Sequence, residues 1–598
     1  MTSNRSPQYL KQILRSDQKP KPSETTSIYL AGSITLDPLV PYICGHLLLE
    51  GVSANIEVGP YNQILQFCHQ PETYMDLGAP PDAICLIWRI EDLFPTALER
   101  SLVEGRVSDE LKAELDSLIE ALARLLKRYS GIIIVTTPPY PQRPGFSTEE
   151  VGQGLLGGNI YQNISAYWLQ QIASLPQIQS LDLQALILQH GIASAHDARK
   201  WYMYRQPYRE SFLAEIAWMI SRIILAQKRS PRKCIVLDCD NTLWGGIVGE
   251  DGITGIQLGE DFPGRAYRDF QSLLKHLYHR GILLAIASKN NSEDVFNVFD
   301  KHDAMVLRRE HIACFEIGWD SKVESLKRIA DALNIGTDSL VFVDDNKKEV
   351  DEVEQRLPEV ACLLVPDEIA FLPEFLGATG LFDQMQLTEE DRNRSRMIQA
   401  EQMRETKKSS LTEEEFKSSL DLKVSVFEVE PQHIARVTQL VNKTNQFNLT
   451  TIRRSQSEIE ELARSAEHRV FATEVTDKYG EYGLVGVAIL AQREAGAWLI
   501  DTLLLSCRVL GRDVETAFLS VLADVVLLTG GSELIGRFIP TSKNLQVESF
   551  YTRHGFQYNT SSGDWHAEAA LVRTLMQGLT CKISLHVRQG SESNIESY

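Results

Sequence analysis

The chain has 598 residues, of which 43% are hydrophobic and 23% charged, the balance of a globular rather than a disordered protein. Its net charge of −20 argues against nucleic acid as a main partner, because phosphate backbones require a basic surface. No run approaches the roughly 18 apolar residues that span a bilayer, and the first residues lack the apolar segment of a signal peptide. The nine cysteines have neither metal-ligand nor disulfide-framework spacing. We therefore expect a cytoplasmic protein with reduced thiols and no membrane partner.

The first predicted unit follows a polar arm over residues 1–26, which we expect to be disordered. From residue 27 to residue 226, short apolar runs such as SIYLAGS and GIIIVTT alternate with stretches of helical spacing. Strands that alternate with helices predict a parallel sheet with crossover helices. This pattern indicates an N-terminal α/β domain.

Two further units follow along the chain. Over residues 230–380, the bounded apolar runs CIVL, ILLAIAS and SLVFVDD predict buried parallel strands. Residues 387–422 are charge-dense and predict a helical connector that contains a capping box from Thr412 to Glu415. Over residues 423–585, several strands precede a long helix and a final α/β segment, which predicts a mixed sheet. Residues 586–598 form a polar tail.

Polar residues follow three strands of the central unit at the point where each strand ends. They are Asp238, Cys239, Asp240 and Thr242 after the first strand, Ser288, Lys289 and Asn290 after the second, and Asp344 and Asp345 after the third. The carboxyl ends of parallel strands meet at one edge of a sheet, so these clusters are expected to converge. Lys322 opens the helix that precedes the third strand and is expected to join them.

Converging carboxylates, hydroxyls and a lysine indicate one kind of chemistry. Asp238, Asp240 and Asp344 offer only hard oxygen ligands, which suit Mg²⁺ and not Zn²⁺. Three carboxylates would repel a phosphate unless a divalent cation and a lysine offset their charge. With both present, such a site binds phosphate and leaves one carboxylate free to attack it. The alternative is that these aspartates merely cap the helices that follow the strands.

The amino-acid sequences of these motifs resemble those of a known family. The runs VLDCDNTLWGGIVGEDG, ASKNN, WDSK and FVDDN are similar to the four motifs of the haloacid dehalogenase (HAD) superfamily, and more specifically to its FkbH-like subfamily. The resemblance spans roughly residues 234–366. It implies a Rossmannoid parallel sheet. The intervals between the motifs are too short for a full cap domain, so we expect a minimal cap and an open site.

The resemblance also implies a role for each residue of the site. Asp238 would be the nucleophile and Asp240 the general acid/base, and both would hold Mg²⁺, Asp240 through its carbonyl. The other residues would bind phosphate or metal: Thr242, Ser288, Lys289, Asn290 and Lys322 the phosphate, and Asp344 and Asp345 the metal.

The activity that the resemblance implies is glyceryl transfer. FkbH-like proteins take the glyceryl unit of 1,3-bisphosphoglycerate, remove phosphate and load glyceryl onto the phosphopantetheine thiol of an acyl carrier protein for polyketide biosynthesis. Two alternatives stay open from the residues alone. One is a phosphatase of a free phosphorylated metabolite, and the other is a non-catalytic scaffold with an acyltransferase-like C-terminal domain.

The thiol that could hold an acyl group is a separate question. Cys239, between the two aspartates, is the first candidate for a glyceryl thioester. Strand alternation points it away from both aspartates, so a small buried filler is the equal alternative. Cys314 and Cys507 are the other candidates. Carrier proteins are usually acidic, so we also consider where a basic docking face could lie. The candidates are the linker at 228–233 and Arg308–Arg309, although ordinary solvent-exposed charge is the simpler interpretation of both.

The flanking units carry fainter resemblances. The segment CRVLGRDVETAFL resembles the pyrophosphate-binding turn of GNAT acetyltransferases, in which Arg508 and Gly511 match as possible contacts to a carrier or CoA arm. Asp513 occupies the place of a small residue there, which favours arm binding or scaffolding over acetyl transfer. In the first unit, AGSITLDPL resembles SGNH hydrolases at Ser33. The Asp-x-x-His pair that those enzymes need is not found, so Ser33 is expected to be a turn residue.

Overall fold

The structure is a computed structural model that describes residues 6–16, 20–104, 106–140, 158–175, 177–229, 231–384, 400, 404, 407, 411–493, 496–541 and 543–586. The chain divides into two compact units, one of Met1–Pro231 with Asp383–Met385 and one of the remaining residues. None of the helices in the described part of the chain combines the length and the apolar character that crossing a lipid bilayer requires.

The N-terminal unit is built on a five-stranded parallel sheet with the order β2-β1-β3-β4-β5. Its strands are β1 (Glu24–Gly32), β2 (Val52–Val58), β3 (Ala83–Ile87), β4 (Ile132–Thr136) and β5 (Ile178–Leu181). Its helices are α1 (Pro7–Arg15), α2 (Val40–Leu49), α3 (Ile64–His69), α4 (Ile90–Leu93), α5 (Pro95–Glu104), α6 (Asp109–Leu126), α7 (Gly158–Ile172), α8 (Leu183–His190), α9 (Ile192–Ala195), α10 (Ala198–Tyr204) and α11 (Glu210–Lys228). Two apolar clusters, one on each face of the sheet, form the core. The predicted parallel α/β domain is confirmed.

The prediction that residues 1–26 are disordered is wrong for the part of this segment that the structure describes. Ser6 caps helix α1, since its side chain accepts a hydrogen bond from the backbone N–H of Tyr9. Leu10 is fully buried, and its side chain would lie 3.1 Å from a Cβ at Gly45 of α2, so the glycine permits the close approach. The segment is polar overall, and Leu10 is the buried residue through which helix α1 packs, so composition alone did not predict the helix.

The central sheet, in the second unit, is also parallel and has the order β10-β9-β6-β7-β8. Its strands are β6 (Cys234–Leu237), β7 (Leu283–Ser288), β8 (Ile312–Ile317), β9 (Leu340–Asp344) and β10 (Ala361–Leu364). Its helices are α12 (Val248–Gly255), α13 (Gly264–His279), α14 (Ser292–Lys301), α15 (Lys322–Ala332), α16 (Lys347–Arg356) and α17 (Leu372–Phe375). The neighbouring strands β9, β6 and β7 are wholly buried and carry the three predicted polar clusters at their carboxyl ends.

The C-terminal sheet is mixed, as predicted, with the order β17-β18-β16-β15-β14-β13-β11-β19 and with β12 paired to β15. Its strands are β11 (Lys423–Glu428), β12 (Phe447–Asn448), β13 (His468–Asp477), β14 (Gly480–Gln492), β15 (Ala497–Leu505), β16 (Glu533–Gly536), β17 (Gln557–Asn559), β18 (Asp564–Glu568) and β19 (Lys582–His586). Its helices are α18 (Glu413–Ser419), α19 (Ile434–Lys443), α20 (Gln456–Arg464), α21 (Val514–Leu528), α22 (Phe550–Arg553) and α23 (Ala569–Arg573).

The segments that join or follow these sheets are described only in part. Most of the connector expected over 387–422 lies outside the described residues. Its last helix is present, with the predicted reciprocal capping box between Thr412 and Glu415. The tail expected over 586–598 lies outside the described residues apart from His586, which ends β19.

Candidate active site

Lys322 joins the carboxylates that follow two neighbouring strands of the central sheet. Asp238 directly follows β6, and Asp344 is the last residue of β9 beside it. The ammonium Nζ of Lys322 lies 2.5 Å from Oδ1 of Asp238 and 3.0 Å from Oδ2 of Asp344, and it donates a hydrogen bond to the carbonyl of Ala287 at 2.6 Å. The predicted convergence of these three side chains is therefore present in the structure.

This ion-pair network is buried, and burial shapes its charges. Burial acts to lower the pKa of Lys322, but the carboxylates of Asp238 and Asp344 raise that pKa well above its ordinary value. Burial raises the pKa of Asp344 to about 6, and the charge of Asp238 adds to the rise while Lys322 opposes it. One lysine does not offset all the carboxylates here, so the site favours a further cation.

Three carboxylates could hold that cation. One oxygen from each of Asp238, Asp344 and Asp345 lies within 4.8 Å of the others, and this is the group of possible metal ligands found among the described residues. An all-oxygen donor set of carboxylates fits Mg²⁺. The carboxylate of Asp240 is not part of the group, which leaves its backbone carbonyl as the ligand that the family resemblance implies.

The Asp240 carboxylate is held by three donors. Its Oδ1 accepts hydrogen bonds from the indole Nε1 of Trp244 at 2.9 Å and from the backbone N–H of Val248 at 3.0 Å. Its Oδ2 accepts one from Nδ2 of Asn290 at 2.7 Å. Trp244 is fully buried, and sequence reasoning missed its bond to Asp240. The only sequence signal was its position four residues after Asp240, on the same turn.

That turn depends on residues that tolerate unusual backbone angles. Asn241 has a φ of 53°, and its side-chain oxygen accepts a hydrogen bond from the backbone N–H of Gly246 at 2.9 Å. Gly246 has a φ of 91°, and a Cβ there would lie 2.5 Å from the carboxylate of Asp251. The turn fixes Asp238 and Asp240 at the edge of the sheet.

The residues expected to hold phosphate divide into two groups. Thr242 and Ser288 are both buried, and Oγ1 of Thr242 has no hydrogen-bond partner among the described residues. A buried hydroxyl without a partner is costly, so it is available to a ligand. The structure does not support the same role for Lys289, whose ammonium is paired with Glu349 of α16 at 2.5 Å. Nor does it support that role for Asn290, whose amide is used to hold Asp240.

Asn290 is therefore expected to position Asp240. Asn290→Ala should lower kcat about 10- to 100-fold with little change in KM, the usual cost of losing a group that orients a catalytic ligand. Steady-state release of inorganic phosphate measures both constants. Asn297→Ala, on the neighbouring helix α14, is the matched control because that amide only accepts a bond from Lys301. An equal loss in both variants would contradict the positioning role.

The catalytic role considered for Cys239 does not fit its surroundings. The side chain is fully buried in the apolar core of the central sheet. Burial raises the pKa of the Cys239 thiol well above its ordinary value, and the adjacent Asp238 raises it further. The raised pKa keeps the thiolate rare, and burial keeps the sulfur from contact with a substrate. The structure therefore favours the alternative, in which Cys239 is a small buried side chain that fills space.

Cys239→Ser is expected to retain phosphate release. The serine hydroxyl would be buried beside Ser288, whose side chain already bonds the Cys239 thiol, so the free energy of unfolding should fall by no more than about 1–3 kcal/mol without loss of the carboxylate network. Phosphate release and thermal unfolding, measured on the same preparation, check this. Loss of activity in a variant that stays folded would restore the catalytic interpretation of the thiol.

The turn of the C-terminal unit that resembles a pyrophosphate-binding turn contains Arg508, Gly511 and Asp513. Gly511 is exposed with a φ of 72°, and Nε of Arg508 donates to Oγ of Ser506 at 3.2 Å. Asp513, the N-cap of α21, pairs with Lys417 at 2.9 Å, and Glu515 follows in the first turn. Two carboxylates at this helix start disfavour a pyrophosphate there.

Ser33 is a buried turn residue, as predicted. It follows β1, and its Oγ accepts a hydrogen bond from the backbone N–H of Arg89 at 3.0 Å and lies 3.3 Å from Oδ2 of Asp92. His196 is bonded through Nδ1 to the carbonyl of Ile192, four residues earlier. Ser33 thus joins the ends of β1 and β3.

No family model and no curated protein matches the chain. Among solved structures, the N-terminal part of the protein BF1531 from Bacteroides fragilis, described as containing a phosphatase domain and complexed with Mg, is 25% identical with a TM-score of 0.53. That match covers 64% of this chain and 99% of the other. This likeness supports the α/β fold of the part of the chain that it covers.

Two acetyltransferases match a smaller part. A putative GNAT-family acetyltransferase from Desulfovibrio desulfuricans is 19% identical, with a TM-score of 0.20, over 24% of this chain and 99% of its own. Spermidine N-acetyltransferase from Vibrio cholerae, in complex with CoA and spermine, is 13% identical, with a TM-score of 0.21, over 25% of this chain and 98% of its own. The expected multidomain α/β fold class is confirmed by the two parallel sheets and the mixed sheet of the structure.

Proposed function

We propose that the protein is a Mg²⁺-dependent phosphoryl-transfer enzyme of the HAD type, with Asp238 as its nucleophile. The observation that carries this proposal is the buried contact of Lys322 with Asp238 and Asp344, next to the exposed Asp345. Helix capping alone does not account for a buried lysine between two carboxylates. Asp238, Asp344 and Asp345, with the Asp240 carbonyl, would hold Mg²⁺, which when bound supplies positive charge against the phosphoryl oxygens.

The chain's own residues then carry the reaction. A carboxylate oxygen of Asp238 attacks phosphorus, an aspartyl phosphate forms, and the bond from phosphorus to the substrate oxygen breaks. Asp240, held by its three donors, gives its proton to the leaving oxygen and afterwards takes a proton from the water that hydrolyses the aspartyl phosphate. Thr242 and Ser288 donate hydrogen bonds to the phosphoryl oxygens, and Lys322 holds Asp238 in place.

The substrate that we propose is 1,3-bisphosphoglycerate, and the acceptor is the phosphopantetheine thiol of an acyl carrier protein. The motif resemblance supports this choice. So does the central sheet, where only α12 and α13 lie between β6 and β7 and leave no full cap domain over the site. In the acyl step, the acceptor's thiolate attacks the C1 carbonyl and phosphate leaves from it, and Asp238 removes the phosphate at C3. Because Cys239 is buried, we propose that the carrier thiol accepts the acyl group directly.

Mass spectra of intact proteins test this function. The enzyme is incubated with Mg²⁺, freshly made 1,3-bisphosphoglycerate and a holo acyl carrier protein, with Cys239→Ser and Cys507→Ser variants in parallel. We expect the carrier to gain a glyceryl-sized mass with all three enzymes. With Asp238→Asn the carrier should gain the larger phosphoglyceryl mass, because only the dephosphorylation step depends on Asp238.

The contradicting results are distinct. A glyceryl adduct on the enzyme that disappears in one cysteine variant would assign acyl capture to that thiol. Phosphate release without any carrier adduct would leave a phosphatase of free metabolites, the main alternative. Absence of both Mg²⁺-dependent phosphate release and carrier loading would favour a scaffold.

A further inference from the structure

The exposed large hydrophobic side chains of the N-terminal unit are concentrated in one segment. Five of the eight in its described part lie between residues 188 and 204, namely Leu188, Ile192, Tyr202, Met203 and Tyr204. The last three are consecutive on α10 and are 78%, 55% and 60% exposed. Helix α10 has no buried residue. Its partly buried Trp201 packs against the core of the unit, while the next three side chains stay exposed. Exposed aromatic clusters of this kind mark interaction surfaces.

The backbone holds this helix in a fixed position. The loop that carries α10 is closed at its base, where the N–H of Arg209 donates to the carbonyl of Ala195 at 2.9 Å and the N–H of Asp197 donates to the carbonyl of Pro207 at 2.7 Å. At the far end, Oγ1 of Thr35 donates to the carbonyl of Tyr204 at 2.6 Å. A surface that is already ordered loses little conformational entropy when it binds a partner.

The charge of the segment is opposite to that of the whole chain. Residues 197–209 contain four basic side chains, Arg199, Lys200, Arg205 and Arg209, and one acidic one, Asp197, a net charge of +3 in a chain of −20. No ion pair joins these four basic groups to an acidic side chain in the part of the chain that is described. Tyrosine, methionine and arginine are the residue types enriched where proteins bind proteins.

Three of the six basic positions considered from the sequence are, by contrast, paired with carboxylates within the chain. Arg229 of the linker pairs with Glu50 at 2.8 Å, and Lys228 lies 3.7 Å from Asp82. Arg309 is paired with Asp300. Arg232 and Arg308 donate to the backbone carbonyls of Glu359 and Phe299. Residues 197–209 differ from all these positions because they combine basic groups with exposed aromatic side chains.

We propose that α10 with its flanks, residues 197–209, is a docking surface for a protein partner with an acidic surface. Tyr202, Met203 and Tyr204 supply the apolar contact area, and the neighbouring arginines and lysine attract the partner's carboxylates. The identification of this partner with the acyl carrier protein rests on the proposed function. The docking surface would then determine which carrier protein is served.

Binding of the full-length protein to the carrier used in the transfer assay tests this. Fluorescence anisotropy of the labelled holo carrier is titrated at low and at high salt. Both Tyr202→Ala/Tyr204→Ala and Arg199→Glu/Arg205→Glu should raise Kd about 10- to 30-fold, the cost of losing one or two central contact residues. Phosphate release from a small phosphate ester should not change. Tyr558→Ala and Arg124→Glu, exposed positions in other parts of the chain, are the matched controls.

Each outcome bears on the docking surface in a different way. If both double variants bind and load the carrier as the wild type does, the docking surface is wrong and the proposed function stands. If the carrier binds through α10 but receives no acyl group, the function is wrong and the surface stands. If the wild type neither binds nor loads a carrier, both are wrong. A self-associated chain that Tyr202→Ala/Tyr204→Ala dissociates would assign α10 to a second copy and overturn the proposal.

Discussion

Replacing Asp238 by asparagine is expected to lower the rate of phosphate release about 10⁴-fold or more, the scale seen when a catalytic nucleophile is removed. A carboxamide has nearly the shape of the carboxylate but lacks the negative charge that attacks phosphorus and attracts the cation. The fold should persist, because Asp344 still pairs with Lys322 at 3.0 Å. Initial rates of inorganic phosphate release from a small phosphate ester, measured with saturating Mg²⁺, give the comparison.

The matched control for that variant is Asp320→Asn. Asp320 lies on the exposed loop before α15, two residues from Lys322, and its ion pair among the described residues is with the surface side chain of Arg328 at 3.1 Å. Its replacement should leave the rate unchanged, so a loss there would point to disturbance of the loop. Phosphate release by Asp238→Asn within a factor of about 100 of the wild type would exclude Asp238 as the nucleophile.

Replacing Lys322 by methionine is the second large expected effect, and it concerns stability as well as rate. The variant loses the only described cation in contact with Asp238 and Asp344, and Asp344 is almost fully buried. Removing one partner of a buried ion pair leaves an uncompensated charge and typically costs about 3–5 kcal/mol. We expect a loss of that size in the unfolding free energy without Mg²⁺, together with loss of phosphate release.

Urea unfolding with and without Mg²⁺ measures this effect. A cation bound by the freed carboxylates should restore part of the lost stability, because a ligand that binds only the folded state stabilises it. Lys327→Met is the control on the same helix, since Lys327 is exposed and pairs with Glu324 at the surface, where such a pair contributes about 0–1 kcal/mol. Equal unfolding midpoints for Lys322→Met and the wild type in Mg²⁺-free buffer would contradict the buried network.

The general position of the site could be predicted from the sequence because it follows from strand order. Three apolar runs that end in polar residues place those residues at one edge of a parallel sheet, whichever contacts their side chains then make. The structure brings Asp238, Lys322 and Asp344 together there. Their spacing along the chain was sufficient for that prediction.

The partners of individual side chains could not be predicted in the same way. Lys289 and Asn290 follow the same strand as Ser288, yet Lys289 is bonded to Glu349 and Asn290 to Asp240. Those bonds depend on rotamers and on how α16 and the turn after β6 pack, and neither is encoded in local spacing. Strand β6 ends at Leu237, two residues before Cys239, so strand alternation alone could not decide the direction of the Cys239 side chain.

Two features outside the site show the same limit. Helix α1 depends on one buried leucine that contacts a glycine of α2, a contact between distant parts of the sequence. The exposure of Tyr202, Met203 and Tyr204 could not be predicted from the sequence either, because a run of aromatic residues in a helical stretch usually indicates buried core positions. In both cases tertiary packing decides what hydrophobicity alone leaves open.

Detection of a phosphoryl group on Asp238 is the most direct test of the central claim. The enzyme is mixed with a phosphorylated substrate and Mg²⁺, quenched in acid within one turnover, digested and examined by peptide mass spectrometry. We predict a phosphoryl-sized mass increase on the peptide that contains Asp238, absent when Mg²⁺ is chelated and absent in Asp238→Asn. Rapid phosphate release with an unmodified Asp238 peptide at every quench time would contradict nucleophilic catalysis by this carboxylate.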